Sequence, residues 1–170
     1  MMISPGVSQT TALRPRYPLC ERVAREAVAE FSCIKTEVEP PIPVESLASS
    51  LGFQVVRLFT VADEFSGLVS PRHKLIGVNG NHHRHRQRFT VAHEIAHILL
   101  KHPAESRCSM KEIALYNIEA DVCASELLIP QSLIAGWLRK TSQIPFLARL
   151  FDVSEEVIER KMRLLAPVIA

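Results

Sequence analysis

Residues Thr90 to Leu100 read TVAHEIAHILL. The stretch sets His93 and His97 four apart, with Glu94 directly after the first, among alanine, valine, isoleucine and leucine. On a helix, residues i and i+4 point the same way, so both imidazoles can aim at one ion. Glu94 sits about 100° round the same helix, beside such an ion without ligating it, as a general base requires. An ion held by neutral side chains lowers the pKa of its bound water from about 15.7 toward roughly 7 and steadies the oxyanion that forms at a carbonyl. The competing reading is a core helix whose histidines are merely packed. Burying two histidines and a glutamate without a partner is costly, which weighs against it.

Working outward, Phe89, Ala92, Ile95, Ala96 and Leu99 form an apolar stripe. The stripe predicts one buried helix, starting from cap residues Asn79 or Asn81 and ended by Pro103. Upstream, Leu19 to Cys33 places Leu19, Val23, Ala27 and Phe31 at helical spacing, and a short helix over Val44 to Leu51 stops at Gly52. The segments FQVVRLF, FSGLVS and KLIGVN read as strands, the last two joined by the turn PRH, which predicts a small, partly antiparallel sheet. Downstream, a helix over Ile113 to Leu128 stops at Pro130, PQSLIAGWLRK is another, and IPFLARLFDVSEEVIERKMRLL reads as helix, turn, helix. The fold class is α+β. Residues 1–17 form a loose lead-in, 18–130 the core, and 131–170 a C-terminal helical tail packed on the same domain.

The totals agree with one domain. The 170 residues are 47% hydrophobic, and 20 basic against 18 acidic side chains leave a formal charge of +2. That charge is too small to argue for a nucleic-acid or membrane partner. Cys20, Cys33, Cys108 and Cys123 form no C-x-x-C pair, which suits a reduced compartment. The N-terminus lacks an apolar signal region and no apolar run approaches the roughly 20 residues of a spanning helix, so the expected location is cytoplasmic.

RFTVAHEIAHILL followed by EADVCASELLIP resembles the ImmA/IrrE-type zinc metallopeptidases, with a His-Glu helix after R-F-T and a second helix closing on L-L-(M/I)-P. The resemblance runs from about Val44 to the C-terminus. It implies a minimal zincin-like fold with a helix-turn-helix-like tail. It implies zinc, and hydrolysis of peptide bonds in a helix-turn-helix transcriptional repressor, so that repression is relieved in a stress-response, mobile-element or toxin-antitoxin-like context. Zinc or another divalent ion such as manganese suits two histidines and an oxygen.

A catalytic zinc takes three protein ligands and leaves one position open. In the family the third is the first residue of E-x-x-A-D on the second helix, and here that position is Asn117, in NIEAD. Asp121 matches the family's acidic residue, a carboxylate that orients a ligating histidine. Glu119 is two residues from either, roughly 200° away on a regular helix. Three readings stay open. Asn117 ligates through its amide oxygen; the helix is irregular and Glu119 takes the position; or the site is altered, and the chain is a metal-binding antirepressor that acts by binding its partner without cutting it.

Among other candidates, HHRHRQR (82–88) reads as a solvated helix start rather than a second metal or phosphate cluster, and Arg88 is a candidate for positioning the site. His102 is placed at a helix end, where a cation favours the dipole. Tyr17 and Tyr116 are unplaced candidate donors to an oxyanion. A DNA-binding reading of the C-terminal helices meets Glu155, Glu156 and Glu159 against Arg160, Lys161 and Arg163, a poor balance for a phosphate backbone.

Overall fold

Three short strands, β1 (Gln54–Leu58), β2 (Gly67–Ser70) and β3 (Leu75–Asn79), form a mixed sheet in the order β1-β3-β2 in the computed structural model, which describes residues 14–34 and 39–169. β3 pairs parallel with β1 and antiparallel with β2. The central strand is the most apolar of the three, and Ile76 to Asn79 are buried, as a strand paired on both edges should be. The sequence expectation of a small α+β fold with a partly antiparallel sheet holds.

Seven α-helices accompany the sheet among the described residues: α1 (Tyr17–Ile34), α2 (Val44–Ser50), α3 (Arg84–Leu99), α4 (Met110–Leu128), α5 (Gln131–Leu138), α6 (Ile144–Phe151) and α7 (Glu155–Ile169). Of the expected lead-in, residues 1–13 lie outside the described residues, and Tyr17 already opens α1. The buried face of α1 is Cys20, Ala24, Ala27, Val28 and Phe31, so Leu19 and Val23 stand only at its margin. Helix α3 lies on the sheet and against α4, which packs in turn on α1. Buried alanines on all three (Ala24, Ala92, Ala96, Ala120, Ala124) let the helices approach closely.

Gly67 sets how near β2 comes to α3. A Cβ there would stand 2.4 Å from Thr90 Cγ2 and 2.8 Å from the Gly77 carbonyl oxygen. A side chain of any size would therefore push the strand off the helix that carries Glu94.

Both ends of α3 differ from the expectation. Asn79 does not cap it: its amide donates to the carbonyls of Ala62 (3.1 Å) and Phe65 (2.9 Å), and its Oδ1 accepts the Asn81 N–H (2.9 Å). Both asparagines are committed to the turn that leaves β3, since Asx side chains bond the backbone two residues on. The cap is His83, whose Nδ1 accepts the His85 N–H. The helix closes at Leu99, well before Pro103, because Lys101 is left-handed (φ +55°). The Lys101 N–H reaches the Ile98 carbonyl and the His102 N–H reaches the His97 carbonyl, both at 3.1 Å. This paired ending is the Schellman motif. The same motif closes α2 at Gly52 (φ +82°), the stop read from the sequence, and α6 at Asp152 (φ +54°).

Helix α4 begins three residues earlier than Ile113, at a capping box. Ser109 Oγ accepts the Glu112 N–H, and the Glu112 carboxylate accepts the Ser109 N–H at 2.8 Å. Two anchors hold the C-terminal helices. Lys161 of α7 forms a buried ion pair with Glu126 of α4, and Asp152 receives Arg84 (2.7 Å) and Arg88 (3.1 Å) from α3. No helix is long and apolar enough to cross a membrane among the described residues.

Candidate functional site

His93, Glu94 and His97 stand in mid-α3, and the two imidazoles face α4. Their Nε2 atoms are 3.1 Å apart. His93 Nδ1 lies 2.9 Å from Asp121 Oδ1, a partner that holds the ring with Nε2 turned to its neighbour. Asn117, one turn before Asp121 on α4, hydrogen-bonds His97 through its side chain. The i, i+4 spacing of Asn117 and Asp121 therefore brings both to the histidine pair.

Burial, then the neighbouring His93 and His102, lower His97 to about 4, against the bond that its ring donates to the Asn117 side-chain oxygen. Near neutral pH it is thus an uncharged ring with a free lone pair, the state a ligand requires. Glu94 is buried toward the sheet, where its carboxylate accepts the Val69 N–H of β2. Burial raises its pKa to about 7, against the pull of His93 and that N–H. A carboxyl poised there can both take and return a proton.

Glu119 is fully buried and engaged on another side of α4. It accepts the Arg16 backbone N–H (2.7 Å) and its guanidinium (2.6 Å to Nη2, 2.9 Å to Nε). Its Oε2 also lies 3.0 Å from His102 Nε2. Burial pushes this carboxyl up, but Arg16 and His102 outweigh it and hold it at about 2. α4 is regular through this turn, so Glu119 faces Arg16 and His102 rather than the His93–His97 pair.

His102 is where sequence reasoning went furthest astray. It does follow the end of α3, but it is not a solvated residue there: its side chain is 2% exposed, its Nδ1 lies 2.9 Å from His97 Nδ1, and its ring stacks on Tyr116 at 4.5 Å. Burial lowers its pKa. The left-handed Lys101 folds the chain back, and no glycine marks that reversal. Arg16 was missed as well, since it lies in a segment without periodicity. Of the remaining candidates, Arg88 bonds the carbonyls of Asp152 and Ile42, both at 3.0 Å, and so anchors the start of α3. Arg84 and His85 of the 82–88 run also meet Asp152, and Tyr17 is half-exposed. The four cysteines are free thiols.

Among the described residues no group of three or more His, Cys, Asp or Glu side chains is arranged to hold a metal ion. Two convergent imidazole nitrogens and a neighbouring amide are present, with Asp121 already committed to the far nitrogen of His93. This donor set fits a divalent ion held by two imidazoles and a neutral oxygen, without a charged third donor. Beside it runs an apolar groove lined by His85, Phe89, Leu128, Val153 and Val157, and the Phe89 ring lies 6.4 Å from that of His93.

The model for the IrrE N-terminal-like domain (Peptidase_M78) matches residues 48–163. A solved structure described as a Mycobacterium tuberculosis transcriptional regulator is similar at a TM-score of 0.63 and 16% identity, over 85% of this chain and 46% of that one. At that identity the likeness concerns the fold, and the chain spans about half of that regulator's length. No curated protein matches.

Proposed function

The chain belongs to the IrrE N-terminal-like family of peptidases, and on that premise we propose that it is a metal-dependent endopeptidase whose substrate is a helix-turn-helix transcriptional repressor. The observation that carries this reading is the convergence of His93 and His97 Nε2 at 3.1 Å, with Glu94 buried on the same helix beside β2. His93, His97 and the Asn117 amide oxygen would hold the ion, zinc or another divalent cation such as manganese. When bound, it supplies a water of lowered pKa and a positive charge for the oxyanion. Asp121 orients His93. Glu94 takes the proton of the attacking water at its carboxylate and returns it to the leaving amine, which its near-neutral pKa favours. The apolar groove past Phe89 suits a hydrophobic segment of a protein substrate.

A second reading has an observation of its own. Asn117 is neutral, and the described residues offer no third charged donor, which favours an antirepressor that binds its partner without cutting it. Incubating the protein with a candidate repressor and Zn2+ or Mn2+ separates the two. A peptidase yields fragments that disappear in Glu94→Gln. An antirepressor releases the repressor from DNA uncut and tolerates Glu94→Gln.

A further inference from the structure

Five side chains stand in a row from Asp121 through His93, His97 and His102 to Glu119, at successive separations of 2.9, 3.1, 2.9 and 3.0 Å. Each of the four gaps needs one hydrogen to become a hydrogen bond, and an imidazole in its neutral form carries one, so three such rings leave one gap without a hydrogen. Carboxylates are acceptors alone, so both end gaps must be filled: His93 donates from Nδ1 to Asp121, and His102 donates from Nε2 to Glu119. His102 is then left with a bare Nδ1 facing His97. The one hydrogen of His97 can sit on Nε2, toward His93, or on Nδ1, toward His102. With a cation between the two Nε2 atoms it must sit on Nδ1, and every gap in the row is satisfied.

The far end of the row is fixed by Arg16, which gives three donors to the buried Glu119. Arg16 lies outside the family-matched residues 48–163. We propose that Arg16, Glu119 and His102 are positioning residues that hold the His97 hydrogen on Nδ1 and thereby present its Nε2 lone pair, with that of His93, to a divalent cation. The inference rests on the metal reading above and deepens it. Hydrogen bonding from a ligating ring to an anionic partner raises the ring's basicity. With a neutral amide in third place, more of the ion's hold falls on the histidines, and this buried row supplies what Asp121 supplies to His93.

The test uses the full chain with Co2+ as probe, reading affinity by chelator competition and geometry from the visible spectrum. Glu119→Gln and His102→Gln are expected to weaken Co2+ binding about 10–100-fold and shift the visible bands. Arg16→Lys, which keeps the charge, should recover most of what Arg16→Gln loses. Lys161→Met, which strips the partner of Glu126 elsewhere on α4, should lower Tm and leave Co2+ affinity unchanged. Long-range 1H–15N spectra of the Zn2+-loaded protein should place the His97 hydrogen on Nδ1. Folded relay variants with wild-type Co2+ affinity and spectrum overturn the relay and leave the metal reading standing. A wild-type chain that binds neither ion overturns both. Should Glu119→Gln fail to fold, the half-exposed Arg16 pair of variants decides alone.

Discussion

His93 and His97 sit one turn apart on the same helix, and they are held in opposite ways. His93 leans on Asp121, whose side chain is 44% exposed. His97 leans on His102 and through it on Glu119, 2% and 0% exposed, closed off by Arg16 from the other end of the sequence. The first support is one carboxylate on the facing helix. The second is a buried chain drawn from three segments, which folding has to bring together and which cannot be relaxed by water. Equivalent residues in a motif therefore need not have equivalent surroundings, and the two sides should fail differently.

The largest expected effect comes from His97, which belongs to both sides. His97→Ala should abolish Zn2+ binding and any hydrolysis, measured by dye competition and repressor cleavage; retained binding would break the reading of the pair as ligands. Next, Asn117→Glu adds the missing charge and should raise Zn2+ affinity about 10–100-fold. Equal affinity in the two proteins would remove Asn117 from the ion's donors.

Stability sharpens the contrast. Glu119→Gln leaves a guanidinium and an imidazole without their buried counter-charge and should cost about 3 kcal/mol in chemical denaturation. Asp121→Asn, at a wetter partner, should cost about 0.5 kcal/mol. Similar losses at the two positions would erase the distinction between a buried and an open support.

Asp152 offers a comparison away from the histidines. Burial pushes its carboxyl up, but Arg84 and Arg88 outweigh it and hold it below its ordinary value of 3.8. A depressed pKa favours the folded state fully above the ordinary value, and that contribution is lost as pH falls through the folded one. The stability difference between wild type and Asp152→Asn should thus be widest near neutrality and close on acidification below 3.8, with Zn2+ affinity the same in both. The smallest effect belongs to Lys101→Gly, which removes a side chain from a left-handed position and should add about 0.5 kcal/mol. Lys101→Val should instead destabilise, since a β-branched residue resists that conformation.

Much of the fold was legible because its signals are local. KLIGVN reads as a strand, Gly52 stops α2, and Pro130 separates α4 from α5. The His-Glu helix and the shared face of Asn117 and Asp121 follow from helical spacing alone. Local signals misled where side chains had other employment: Asn79 and Asn81 serve the turn after β3, so the cap fell to His83. The mixed strand order was not legible, because the parallel pairing of β1 with β3 joins strands separated by β2 in the sequence, and no local signal sets it.

By itself the sequence determined that the two imidazoles share one helix face with the glutamate beside them, and that Asn117 and Asp121 share a face of the next helix, because a helix converts spacing directly into direction. Tertiary structure alone decided what stands behind them. A regular α4 already turns Glu119 away from the His93–His97 pair, but that its counter-charge there is Arg16, about a hundred residues earlier, only the fold decides. The place of His102 depends on one left-handed residue with no glycine to announce it. Buried charge must find its counter-charge wherever the chain brings one, and only the folded chain says where that is.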